Sequence, residues 1–370
     1  MIQDKTILIF SSEFPPLPGG IGNHALNLAN QLSLNGYEVT VLTDQRSNAI
    51  FEDVRFDSKL AFKVHRTKRE KVNFLTYINR IGKGFQLVTS KNEYVIASGK
   101  FSLWLCALFS VFFKKKNYIA ILHGSEIRAG GSISKLVTNW SLKQFDKIIS
   151  VSNFTKETAL KYNPNLKIEV VNNGFVVPKA NETTFRNNFS KNPKIVTVGN
   201  VSYRKGQHNV IHVLPMLKAH FPTIVYHCIG IPTEKASLLA LAKKLNVQDC
   251  IIFHGALSND EMLAVLNDAD VFFMLSDVLD NGDFEGFGIA ILEANSFGIP
   301  AIGSNNSGIV DAIKVGYSGE LVDPKNSTDI VASFLKIMTN YDVYSKNAIQ
   351  WSTNFSWDII GRKYIEIIER

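Results

Sequence analysis

Glu285 and Glu293 stand eight residues apart in the stretch FEGFGIAILEANSFGIP. Gly286-Phe287-Gly288 lies between them, ahead of an apolar run with helical period. This order puts one carboxylate just before a helix start and the other about two turns inside. Eight residues at the helical rise of about 1.5 Å span roughly 12 Å. A helix start offers free N–H groups and about half a positive charge, which suits a diphosphate. A ligand with hydroxyls at both ends and a diphosphate between them has that length. The expected chemistry is therefore the binding of an activated sugar.

Other segments supply matching groups. In VGNVSYRKGQHNV, a strand ends at Gly199 and Asn200, and Arg204 and Lys205 precede Gly206 and a helix. Two cations at a helix start suit a diphosphate. In FPPLPGGIGNH, Gly19, Gly20 and Gly22 are expected to precede a helix from His24 and to allow close backbone approach of a ligand. In ILHGSEI, His123 and Gly124 are expected to end a strand, where an imidazole can contact a hydroxyl or move a proton. Asp268 and Asp270 form an Asp-x-Asp, and Asp277, Asp280 and Asp283 crowd the loop before Glu285. Acidic loop residues of this kind are commoner than metal sites, and no metal ligand is expected.

The elements that must position these groups follow a regular order. Short β-branched runs cover 6–11, 37–43, 94–98, 118–124, 147–152 and 168–174, then 194–200, 224–230, 251–255, 271–275 and 301–304. Helical segments such as 24–36 and 258–269 separate them. Continuous apolar strands alternating with helices predict parallel sheets covered on both faces. Residues 176–193 are polar, aperiodic and hold two prolines, which predicts a linker. The expected fold is α/β, with a Rossmann-like domain over 1–178 and a second over 190–355, facing across a cleft. Ligands in such sheets bind beyond the carboxyl ends of strands. The amphipathic segment 356–370 is expected to cross back onto the first domain.

A chain of 370 residues with 45% hydrophobic and 20% charged content suits a globular protein of two domains. Cys106, Cys228 and Cys250 lie in apolar segments without metal-type spacing, which suits buried thiols in a reducing compartment. The start of the chain lacks the apolar core of a signal peptide. The most apolar segment, 101–113, is short of the roughly 20 residues that span a bilayer. Charge is uneven: residues 1–180 hold 24 Lys and Arg against 13 Asp and Glu, and residues 181–370 hold 16 against 20. The excess clusters at Lys59, Lys63, Arg66, Lys68, Arg69 and Lys71, and at Lys114-Lys115-Lys116. It predicts attraction to an anionic membrane surface, since no nucleic-acid module accompanies it.

Taken in order, FPPLPGGIGNH, ILHGSEI, SVSNFTKE, VVNNGF, VGNVSYRKG, FHGAL, EGFGIAILEANSFGIP and FSW resemble the retaining glycosyltransferases of family 4 (glycosyl transferases group 1), which have the GT-B fold. The resemblance covers nearly the whole chain. It implies a metal-independent transferase, without a cofactor, that takes a sugar from a UDP- or GDP-linked donor with retention. By resemblance, Glu285 contacts the sugar hydroxyls and Glu293 the ribose. Phe287, Gly288 and Ile289 give N–H groups to the diphosphate, Lys205 binds the same group, and Gly20 lies beneath it. His123 sits by the transferring sugar. The acceptor is expected to be a glycan or a lipid-linked sugar of bacterial surface polysaccharide or lipopolysaccharide synthesis, reached from the cytoplasm at the inner face of the plasma membrane.

Two departures stand out. The family usually has Arg directly after Gly199, where this chain has Asn200, so Arg204 is expected to supply that contact. Asp311 stands where the family often has Glu. Other classes consistent with the residues are a non-catalytic nucleotide-sugar-binding protein and a GT-B sugar-nucleotide epimerase.

Overall fold

In a computed structural model, residues 5–16, 18–45, 50–70, 73–127, 131–177 and 192–370 are described. The chain forms two compact units, Met1–Gly174 with Trp357–Arg370, and Phe175–Ser356. Most of the expected linker, 176–193, lies outside the described residues, as does the expected boundary at 178.

The first unit runs β1 (Thr6–Ser11), α1 (Gly20–Leu34), β2 (Glu38–Asp44), α2 (Ile50–Asp57), β3 (Lys63–Thr67), α3 (Asn73–Val88), β4 (Tyr94–Ser98), α4 (Lys100–Phe112), β5 (Asn117–Leu122), α5 (Ser132–Leu142), β6 (Lys147–Ser150), α6 (Asn153–Tyr162) and β7 (Ile168–Val170). Its sheet has the order β3-β2-β1-β4-β5-β6-β7, and every pair is parallel. Ile7 lies opposite both Val39 and Tyr94, so β1 is an interior strand. Ile7, Leu8, Ile9 and Phe10 are all buried, so both faces of β1 are covered.

The second unit runs β8 (Lys194–Val198), α7 (Gln207–His220), β9 (Val225–Ile229), α8 (Lys235–Lys244), β10 (Ile251–Gly255), α9 (Asn259–Asp268), β11 (Val271–Met274), α10 (Ile289–Ser296), β12 (Ala301–Ser304), β13 (Gly319–Val322), α11 (Ser327–Thr339) and α12 (Tyr341–Ser352). The parallel sheet β10-β9-β8-β11-β12-β13 repeats the order of the first. Leu214, Tyr226, Phe273 and Phe334 are among the side chains filling its core. Helix α9 begins with a capping box, in which Ser258 and Glu261 satisfy each other's backbone N–H.

The last helix, α13 (Trp357–Glu369), belongs to the first unit. Tyr364 OH meets His24 Nε2 of α1 at 3.0 Å. Lys147 Nζ donates to the carbonyls of Ile367 and Ile368, satisfying carbonyls that the helix end leaves open. Gly174 lies under the Trp357 ring, where a Cβ would come within 2.8 Å of the indole.

Two expectations need correction. Strands β3 and β13 carry no apolar run and were not expected. β3 is an edge strand and β13 is two residues of Gly319-Glu320 followed by Leu321-Val322, so neither shows the pattern of a strand buried on both faces. The basic cluster at 59–71 contains β3, where Arg66 is half-buried 2.8 Å from Asp57 and 3.5 Å from Asp53, while Lys59, Lys63, Lys68 and Arg69 are exposed. Finally, α1 starts at Gly20, so Gly20 and Gly22 lie in its first turn rather than ahead of it. Gly22 packs against the backbone of Glu13 and Phe14, where a Cβ would sit 3.0 Å from the Phe14 nitrogen.

Candidate donor-binding site

The loop after β11 carries Glu285 to the start of α10. Gly308 N–H donates to the Glu285 carbonyl at 2.8 Å, and a side chain at Gly308 would run into the Gly286 carbonyl. Gly288 caps α10 with a φ of 94°, a conformation that favours glycine. The first-turn N–H groups of α10, at Ile289 and Ala290, have no intrahelical acceptor. Phe287 is buried and packs on Phe355, with ring centroids 5.9 Å apart. Glu293 is the fifth residue of α10.

The cations come from the end of β8. A short 3₁₀ turn, Tyr203–Lys205, leads through Gly206 into α7. Gly206 has a φ of 79°, and the Leu275 carbonyl fills the space a side chain would need. Gly199, at φ 142°, lies against the Lys205 stem, with a Cβ position 3.1 Å from Lys205 Cε. Lys205 Nζ reaches Glu285 Oε2 at 2.7 Å and Arg204 Nη1 reaches the same oxygen at 2.8 Å. Arg204 Nε also stands 3.8 Å from Asp283. The Asn200 side chain is exposed, while its carbonyl accepts from Gln207 Nε2 at 3.1 Å.

The electrostatics differ sharply between the two glutamates. Burial alone would push the Glu285 pKa up, but Lys205 and then Arg204 outweigh it and bring it down to about 2. Glu285 is thus an anion at any working pH. Burial raises the Glu293 pKa, and Lys205 opposes this only in part.

Gly199, Asn200, Arg204, Lys205, Glu285, Phe287, Gly288, Ile289 and Glu293 all lie in the second unit. Gly20 and His123 lie in the first. His123 is the first residue past β5 rather than part of it. Its Nε2 meets Ser98 Oγ at 2.9 Å, and its ring packs edge-on to His24, with centroids 4.8 Å apart. Its backbone N–H and that of Gly124 donate to Glu126 Oε2 at 2.8 and 3.0 Å. Burial lowers the His123 pKa to about 4, so the imidazole is neutral near pH 7. Nothing lies within 4 Å of a Cβ position at Gly20.

Sequence reasoning missed His24, Ser98, Glu126 and Tyr364 in this cluster. Glu126 was the most legible, because a carboxylate three residues after His123 can reach back to the intervening N–H groups. Tyr364 left no signal, since it arrives from the far end of the chain. The Asp-x-Asp is structural: Asp268 pairs with Lys194, and the Asp270 carboxylate accepts the Lys194 backbone N–H at 2.8 Å. Asp277 accepts from Asn209 Nδ2 at 3.1 Å and lies 2.9 Å from His208. Among the described residues no group of three or more His, Cys, Asp or Glu gathers in a metal-ligand arrangement.

The model for glycosyl transferases group 1 matches residues 179–352, and that for glycosyltransferase family 4 matches residues 18–179. A putative colanic acid biosynthesis glycosyltransferase, WcaL of Salmonella typhimurium, is 32% identical over 182 residues, which is 48% of this chain and 45% of that protein. The chain thus matches less than half the length of that relative. A glycogen synthase of Mycobacterium tuberculosis is 23% identical over 395 residues, 96% of this chain and 92% of that protein. Among solved structures, Anabaena HepE in complex with UDP and glucose superposes with a TM-score of 0.77 at 17% identity, covering 99% of each chain. At that identity the likeness speaks for the fold alone, which is GT-B.

Proposed function

For this chain, which belongs to glycosyltransferase family 4 and is an enzyme of that class, we propose transfer of a sugar from a UDP- or GDP-linked donor to a glycan or lipid-linked acceptor in surface polysaccharide synthesis, with retention at the anomeric carbon. The observation that carries the reading is the convergence of Lys205 and Arg204 on one oxygen of Glu285, beside the start of α10. Two cations and a helix start are what a departing diphosphate requires. Arg204 takes the part that Asn200 cannot.

In the proposed reaction the bond from the anomeric carbon to the diphosphate oxygen breaks first, leaving an oxocarbenium-like sugar. Lys205, Arg204 and the α10 N–H groups stabilise the negative charge that develops on the diphosphate. The acceptor hydroxyl attacks from the same face and gives its proton to the departing phosphate oxygen. The nucleoside diphosphate leaves, and no protein nucleophile is required. Glu285, ionised and close to the cations, receives hydrogen bonds from the sugar hydroxyls, while Glu293 receives those of the ribose. The neutral His123 accepts or donates a hydrogen bond at the transferring sugar. The cations neutralise the diphosphate without a metal.

The likeness to a putative colanic acid biosynthesis glycosyltransferase supports the acceptor class. The charge excess of residues 1–180 supports docking of the enzyme on an anionic membrane, at its cytoplasmic side, where a lipid-linked acceptor would be held. Among the described residues no helix is long and apolar enough to cross a membrane.

The test is a panel of UDP- and GDP-sugars incubated with and without acceptor, read by nucleotide release. Release that depends on the acceptor is expected. Binding of a donor without any release would point to a binding protein instead. Conversion of the donor to its epimer without acceptor would point to an epimerase.

A further inference from the structure

Helix α3 is mounted with its apolar side outward. Phe74, Ile78, Ile81 and Phe85 are 68, 47, 38 and 53% exposed, and their spacing of four, three and four residues sets them in one stripe. The inward side holds polar groups. Arg80 is buried with Asp44, its Nε 2.7 Å from Asp44 Oδ1, and Gly84 lies against Phe10 and Phe109. The buried ion pair fixes which way the helix faces, because turning α3 over would strand two charges.

The apolar stripe does not end with α3. The Phe85 ring lies edge-on to Phe113, with centroids 5.5 Å apart, and Phe113 closes α4. There Val111 and Phe112 are 42 and 70% exposed. Lys114 and Lys115 follow, both exposed, and with Lys91 they line the same recess as Val111 and Phe112. From Lys71 to Ser125 the sequence has eight Lys and Arg and one acid, Glu93. A contiguous apolar surface of this kind marks an interaction site. The recess beside it carries Lys91, Lys114, Lys115 and Lys116 and no acid, which disfavours an average protein surface and fits an anionic one.

We propose that the outer face of α3 and the end of α4 lie in the interface of an anionic bilayer. The aromatic and aliphatic side chains enter the headgroup–acyl boundary, and Lys114 and Lys115 meet the lipid phosphates. This deepens the membrane reading given above, and it replaces the net charge of the chain with one surface. It also changes the expected physics, since apolar insertion survives high salt and charge attraction does not.

Co-sedimentation with vesicles of phosphatidylglycerol and phosphatidylethanolamine tests it, using the full chain. Phe74→Ser, Ile78→Ser and Phe112→Ser are expected to lower the partition coefficient roughly tenfold each, at low and at high salt. Lys114→Glu with Lys115→Glu is expected to weaken binding at low salt only. An Ile78→Trp variant is expected to be quenched by lipids brominated in the acyl chain. These positions are exposed, so thermal melting and donor-dependent nucleotide release with a water-soluble acceptor should be unchanged. Serine variants that sediment like the wild type, with no quenching of the tryptophan, would overturn insertion. If the lysine variants alone then lost binding, the coarser electrostatic docking would survive. Serine variants that convert a wild-type dimer to a monomer without affecting vesicles would assign the face to a second copy and overturn the proposal.

Discussion

Three glutamates in two units whose sheets share one strand order behave differently. Glu285 has its pKa brought down to about 2, whereas burial raises those of Glu293 and Glu126. Glu285 has two cations on one oxygen. Glu126 has only backbone N–H donors, and it sits beside His123, itself neutral. The residue type is the same and burial opposes the charge in all three, so the cationic partners separate Glu285 from the others. The second unit therefore keeps a charged cluster, suited to a diphosphate. The first keeps a hydrogen-bonded one, in which the His123 imidazole is neutral and Glu126 accepts from backbone N–H groups.

The strongest way to break this contrast is Lys205→Ala. Removing a preorganised cation from the leaving group should lower kcat/KM by about 10²–10³. Stability should change less, because Arg204 remains on Glu285. Turnover within tenfold of the wild type, measured by nucleotide release, would separate the charged cluster from the chemistry.

The two clusters should also lose stability to acid in different windows. His123 has its folded pKa lowered from 6.5 to about 4, so the unfolded chain binds the proton first. Its contribution is whole above pH 6.5 and falls as the pH drops toward 4, by about 3 kcal/mol. Glu285 has its folded pKa lowered from 4.5 to about 2. Its contribution is whole above 4.5 and falls between 4.5 and 2, again by about 3 kcal/mol. Urea unfolding across pH should therefore show His123→Asn flattening the upper window and Glu285→Gln the lower. Both variants changing the same window would mean that the clusters are not electrically distinct.

The smallest expected effect sharpens the comparison at its missing charge. Asn200→Arg restores a cation directly after Gly199, and its side chain position is exposed. Because Arg204 already supplies that contact in the proposed site, the donor KM and kcat should each change by less than about tenfold. A larger fall in KM would show that Arg204 leaves that position unfilled.

Several parts of this molecule were legible in the sequence because they rest on local rules. The continuous apolar runs of β1, β5 and β8 announce strands covered on both faces. Gly286-Phe287-Gly288 before an apolar run announces the start of α10, and Ser258 with Glu261 that of α9. The glycines beside Arg204 and Lys205 announce the turn that leads from β8 into α7. These features depend on a few neighbouring residues, and tertiary context does not reverse them.

Other features could be decided only by tertiary structure. Strand β3 reads as a basic stretch until Asp53 and Asp57 close on Arg66. His24 becomes part of the His123 cluster only when Tyr364 arrives from the other end of the chain. The amphipathic pattern of α3 is plain in sequence, but its buried side is set by Arg80 meeting Asp44, 36 residues away. The charge of Glu285 is likewise set by cations 80 and 81 residues away. Periodicity records which residues share a face. The free energy of a buried charge depends on which distant partner reaches it, and only the folded chain decides that.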